Sequence, residues 1–157
     1  MINNDVMRRI RYIFDFNDKQ MLDVFAQAEY PATTAQLHSW LRKEEEPVFV
    51  RITDLQFALF LNGLINLKRG KREGAPAPVE RVLTNNIILM KLKIALNLQA
   101  EDILAIMEKS DFRLSKHELS ALFRKPGNRH YRECQDQFLR NFLKGLQLKL
   151  RGEAEQD

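Results

Sequence analysis

The side chains best suited to nucleophilic or metal chemistry in this chain are His38, His117, His130 and Cys134. A metal centre needs three or four donors at characteristic spacing, and no histidine stands at such a spacing from Cys134 or from a carboxylate. His130 and Cys134 lie four apart and would share a face if that segment were helical. A thiol–imidazole pair without an orienting acid or a third ligand is usually incidental, however. Glycine-rich phosphate loops are absent from the sequence. The expectation is a chain with no catalytic residue, no cofactor and no metal, and therefore not an enzyme.

A second kind of chemistry is electrostatic. Residues 124–132 read Arg124-Lys-Pro-Gly-Asn-Arg-His-Tyr-Arg132, four fixed cations with His130 and Tyr131 among them. With Lys91, Lys93, Lys144, Lys149 and Arg151, such a segment can follow a phosphate backbone while Tyr131 stacks on a base. The bland alternative is a solvated loop with scattered charge. The surface is not shared along the chain, because the corresponding positions nearer the N-terminus include Glu44, Glu45 and Glu46. Nucleic acid is therefore the second reading of function, and contact with a protein partner, self-association included, is the first.

These residues sit on a duplicated frame. Residues 3–70 align without a gap on residues 85–152, at a constant offset of 82. Identities include Asn3/Asn85, Asn4/Asn86, Leu37/Leu119, Arg42/Arg124, Lys43/Lys125, Asp54/Asp136, Phe60/Phe142, Gly63/Gly145 and Gly70/Gly152. A period of this length marks a structural unit repeated in tandem. The expected division is a first repeat at 1–70, a linker at 71–84, a second repeat at 85–152 and a tail at 153–157. Residues 70–79, with two glycines and two prolines, supply the turn-rich composition of a linker.

Each repeat reads as four helices, so the fold class is all-α, with the copies expected to pack about a pseudo-twofold axis. Asn4 and Asn86 are suited to cap the first helix. Apolar residues such as Val6, Met7, Ile10 and Ile13 then recur at helical spacing. A second helix is expected near residues 18–28 and again near 100–109. Thr33 with Gln36, Ser115 with Glu118, and Thr53 with Gln56 have the spacing of capping boxes. The third helices should end on Arg42-Lys43 and Arg124-Lys125, cations favoured at a helix C-terminus. The fourth helices contain Gly63 and Gly145. A glycine inside a helix costs roughly 1 kcal/mol relative to alanine, so its return in both copies calls for tight helix packing, expected where the two fourth helices meet. Asp54 and Asp136 are expected to bridge to the preceding Arg42 and Arg124 and so to fix the loop between the third and fourth helices.

The 157 residues are 45% apolar, enough to bury a core, and no apolar run approaches the length needed to span a bilayer. The start, Met-Ile-Asn-Asn-Asp, lacks the basic and apolar regions of a signal peptide. One cysteine cannot make an internal disulfide, which fits a reducing compartment and an expected cytoplasmic location. The net charge of +4 is uneven: residues 1–70 balance nine cations against nine acids, and the excess lies beyond residue 70.

The doubled Asn-Asn starts, the Phe60-Leu-Asn-Gly-Leu-Ile65 run, Lys68-Arg-Gly70, and Tyr131-Arg-Glu-Cys-Gln-Asp-Gln-Phe-Leu-Arg-Asn-Phe-Leu-Lys-Gly-Leu146 resemble the YehS family of small bacterial proteins. The resemblance runs over about residues 2–151. It implies a bacterial cytosolic protein with a duplicated unit. That family is a domain of unknown function, so the resemblance carries over no activity and no site residues.

Overall fold

Local hydrogen bonding fixes where the helices begin. The computed structural model describes residues 1–152; the tail expected at 153–157 lies outside the described residues. The helices are α1 (Asn3–Phe14), α2 (Asp18–Gln27), α3 (Thr34–Leu41), α4 (Asp54–Arg69), α5 (Asn85–Ala95), α6 (Ala100–Lys109), α7 (Lys116–Ala121) and α8 (Asp136–Arg151). Each helix of the second set starts 82 residues after its counterpart, so the duplication read from sequence is a duplication of structure. No strand occurs among the described residues, and no helix among them is long and apolar enough to cross a membrane.

Reciprocal capping boxes open α3, α4 and α7 at the pairs read from sequence, Thr33 with Gln36, Thr53 with Gln56 and Ser115 with Glu118. Asn17 with Gln20 adds a fourth at α2, with bonds of 2.9 and 2.8 Å. The helices also stop alike. Asp15 and Asn97 end α1 and α5 in the left-handed region, and Glu29 and Asp111 follow α2 and α6 in the same way. Beyond each, an amide reaches back into the last helical turn: Phe16 to Arg11, Leu98 to Lys93, Tyr30 to Phe25 and Phe112 to Met107, at 3.0–3.1 Å. That satisfies carbonyls which the helix end leaves open.

The chain divides into two compact units, one spanning Met1–Leu83 and the other beginning at Thr84. In the first, α2 and α4 pack along one another, with α1 and α3 completing the core. Phe25 is its centre: its ring lies 5.4 Å from Trp40 and 5.0 Å from Phe60, and Phe57 stacks on Phe60. All four are buried. Burying a large apolar side chain of this kind is worth about 1.5–3 kcal/mol, so this cluster accounts for much of the unit's cohesion. The second unit packs α6 against α8 and α7 on α6. There Met107, Leu122, Leu139 and Phe142 hold the equivalent buried positions. Of the linker expected at 71–84, residues 71–83 form no helix and fall in the first unit, and Thr84 is the N-cap of α5; Pro78 accepts a bond from Asn62 Nδ2 at 3.4 Å.

Gly63 and Gly145 sit at close helix crossings. A Cβ on Gly63 would overlap the carbonyl oxygen of Val24 in α2, and one on Gly145 would overlap that of Ile106 in α6. The partner differs from the expectation. Each glycine receives the second helix of its own repeat. Only a residue without a Cβ lets two helix backbones approach this closely.

Candidate interaction loop of the second repeat

The loop between the third and fourth helices of each repeat is anchored from beneath by one asparagine. Asn4 lies fully buried in the first turn of α1. Its Nδ2 donates to the carbonyls of Trp40 and Val50 at 2.9 and 3.0 Å, and its Oδ1 accepts from Ile52 N at 3.2 Å. Asn86 repeats the arrangement: Nδ2 donates to Leu122 and Arg132 at 2.9 and 2.8 Å, and Oδ1 accepts from Cys134 N at 2.9 Å. These residues are clamps between elements far apart in sequence. The helix caps expected of them fall instead to Ile2 and Thr84. A buried side-chain amide is retained when its donors and acceptor are satisfied, and here one amide satisfies three backbone groups.

The neighbouring asparagine holds the start of the fourth helix. Asn3 Nδ2 donates to Asp54 Oδ1 at 2.7 Å, and Asn85 Nδ2 to Asp136 Oδ1 at 2.8 Å. Asp54 Oδ2 also accepts from Leu83 N at 2.9 Å. The expected Arg42–Asp54 bridge is therefore replaced. Arg42 faces Glu46 at 3.8 Å, and its carbonyl accepts from Arg8 at 3.0 Å. Competition explains the change: Asn3 reaches Asp54 from the fixed first turn of α1, whereas Arg42 lies on an extended segment after α3 has ended. Arg42 is the C-cap of α3, whereas Arg124-Lys125 lie beyond α7, which stops at Ala121 and has Leu122 as its C-cap. The basic pairs belong to the loops.

The two loops then follow the same backbone path. In the first repeat Glu46 N donates to Lys43 O, Phe49 N to Glu46 O, and Val50 N to Ser39 O. In the second, Asn128 N donates to Lys125 O, Tyr131 N to Asn128 O, and Arg132 N to Ala121 O. Each bond has its counterpart 82 residues on.

What the loops display is different. Residues 42–51 carry three cations and three acids, and residues 124–133 carry four cations and one acid. In the first loop Arg51 meets Glu44 at 3.2 Å and Arg42 meets Glu46, so its charge is largely met within the loop. Val48 and Val50 are exposed there. In the second, Arg124, Lys125, Arg129, His130 and Arg132 are exposed and Tyr131 is half-buried. Among the described residues none of the four cations has a carboxylate within ion-pair distance. Arg129 Nε donates to His130 Nε2 at 3.2 Å, and Arg132 donates to the Tyr131 carbonyl at 3.0 Å. The structure thus holds Arg124, Lys125, Arg129, His130, Tyr131 and Arg132 on one exposed loop, whereas Lys93 and the buried Lys91 lie on α5 and Lys144, Lys149 and Arg151 on α8.

The remaining candidates are separated. Cys134 is buried where the first repeat has Ile52, while His130 points outward. Burial pushes the Cys134 thiol up to about 12, with the charge of Asp136 adding to the effect; such a group is not a nucleophile near neutral pH. His38 lies 2.8 Å from Asp18, which also meets Arg11 at 2.8 Å. Sequence spacing does not signal this ion cluster, because its members come from three helices and the second repeat has Lys93, Ala100 and Ser120 instead. No group of three or more His, Cys, Asp or Glu among the described residues is placed to hold a metal.

Fold and loop together define a class: an all-helical protein made of two copies of a four-helix unit, each presenting one clamped loop. The chain belongs to the family described as "Protein of unknown function (DUF1456)", whose model matches residues 3–70 and again residues 85–152. It is 48% identical over 147 residues to the "Uncharacterized protein YehS" of Escherichia coli (strain K12), covering 93% of this chain and 94% of that protein. No solved structure matches.

Proposed function

We propose that this chain is a non-enzymatic, regulatory binding module that acts through protein contacts made by its clamped loops. One observation carries the reading: the two loops share a backbone path bond for bond, yet the side chains they expose have diverged in charge and polarity. A rigid scaffold that holds variable loops is the usual arrangement of a binding surface. The absence of a catalytic cluster is no part of this support. A cytoplasmic location belongs to the same proposal, supported by the single, buried cysteine.

The test is affinity capture with the full chain as bait, beside a variant carrying Val48→Ser, Val50→Ser, Arg124→Ala, Arg129→Ala and Arg132→Ala. Partners captured by the wild type should be lost from the variant while its helical signal and melting temperature persist. Capture of the same partners by both would contradict the reading.

Nucleic-acid binding through residues 124–132 is the second reading. It is favoured by four exposed cations without an acidic partner among the described residues, with Tyr131 among them. A mobility shift with mixed DNA and RNA should then weaken steeply with salt and disappear when Arg124, Lys125, Arg129 and Arg132 are substituted. No shift at low salt removes that reading.

A further inference from the structure

We infer that residues 124–132 form a docking site for a carboxylate-rich segment of a partner protein. The inference rests on the protein-contact reading above and gives that partner a chemistry.

The first repeat shows what the site accepts. In its loop, Glu44 meets Arg51 at 3.2 Å, and Glu46 meets Arg42 at 3.8 Å while also accepting from Lys43 N at 3.2 Å. These acids come from the loop itself. The second loop keeps the backbone path and the leading basic pair, as Arg124-Lys125, but has Pro126, Gly127 and Asn128 where the acids stood. It adds Arg129 and Arg132 where the first loop has Pro47 and Val50. Arg42 and Lys43 are thus kept as Arg124 and Lys125, Arg51 gives way to Glu133, the cations rise from three to four, and the three acids at positions 44–46 have no counterpart. A partner supplying glutamates or aspartates restores the pairing from outside.

Two further features favour carboxylates over a phosphate backbone. The sister loop's ligands are carboxylates on the same backbone, a direct template. Three of the four cations are arginines, whose planar fork matches a carboxylate in two parallel bonds. There is also room for a ligand's side chains: a Cβ at Gly127 would meet no atom within 4 Å.

The experiment measures fluorescence anisotropy of a labelled peptide bearing a run of glutamates, titrated with the full chain at low and moderate salt. The controls are the same peptide with glutamines and a single-stranded oligonucleotide of equal charge. One variant carries Arg124→Ala, Arg129→Ala and Arg132→Ala. A second carries Pro126→Glu and Asn128→Glu, which returns the internal acids and removes no cation. The glutamate peptide should bind in a salt-sensitive way and the glutamine peptide should not. Each variant should bind about tenfold more weakly or worse, with its melting temperature kept. Tighter binding of the oligonucleotide, unchanged affinity in the acid-restored variant, or no peptide binding at low salt would each overturn the proposal. If the peptide fails while partner capture by the whole chain survives, only this assignment falls. If both fail, the protein-contact reading falls with it.

Discussion

The carbonyl oxygen of Val24 occupies the space that a Cβ on Gly63 would need. Backbone meets backbone there, so no side chain can swing aside to make room. Gly63→Ala gains about 1 kcal/mol of helix propensity but forces α4 away from α2 where their backbones meet. The expected balance is a loss of about 3 kcal/mol, read by denaturant unfolding. Gly145→Ala should cost a similar amount through Ile106. Neutral substitution at both positions would show that the crossings are looser than this geometry.

Asn4 and Asn86 offer a second test. Replacing either by alanine leaves two carbonyls and one amide without the partner that now satisfies them. A buried group stranded in this way costs about 1–3 kcal/mol. Asn4→Ala should therefore destabilise by about 3 kcal/mol in total, and native-state hydrogen exchange should show the Ile52 amide losing protection first. Retained protection at Ile52 would mean that the loop is held by something else.

The Asp18 cluster predicts a pH dependence. The bond to His38, then that to Arg11, holds the Asp18 carboxyl below its ordinary value of 3.8. A depressed acid stabilises the fold above its unfolded pKa, and that contribution is lost as pH falls through the folded value. Asp18→Asn should thus melt below the wild type near neutral pH, with the gap closing below pH 3.8. The gap should be within about 2 °C, since exposed ion pairs contribute little. A gap that widened on acidification would reverse the assignment.

What was legible in the sequence followed the range of the interaction. The capping boxes at Thr33, Thr53 and Ser115 involve residues three apart, and the duplication is a property of the order of residues alone. Both are visible without a structure. Asn4 was misread for the same reason: its local signal is that of a cap, but its partners lie 36 to 48 residues away. The glycines announced a close approach and left its partner open, because spacing within one helix cannot say which helix meets it. No local sequence signal marks Tyr30. Its hydroxyl accepts from Gln36 and Gln56 at 3.3 and 3.0 Å, while Phe112 and Phe138, at the positions of Tyr30 and Gln56, make an edge contact instead. The basic loop was legible as composition; that its sister loop neutralises itself required distances.

The central claim is that the clamped loop of the second repeat, and not its helices, makes the contact. Grafting the first repeat's residues 44–50 into positions 126–132 of the full chain tests this most directly, since both loops follow one backbone path. Capture of partners that depend on the second loop should be abolished, with the melting temperature within about 2 °C of the wild type, a shift typical of surface changes. Undiminished capture by the stably folded graft would contradict the account.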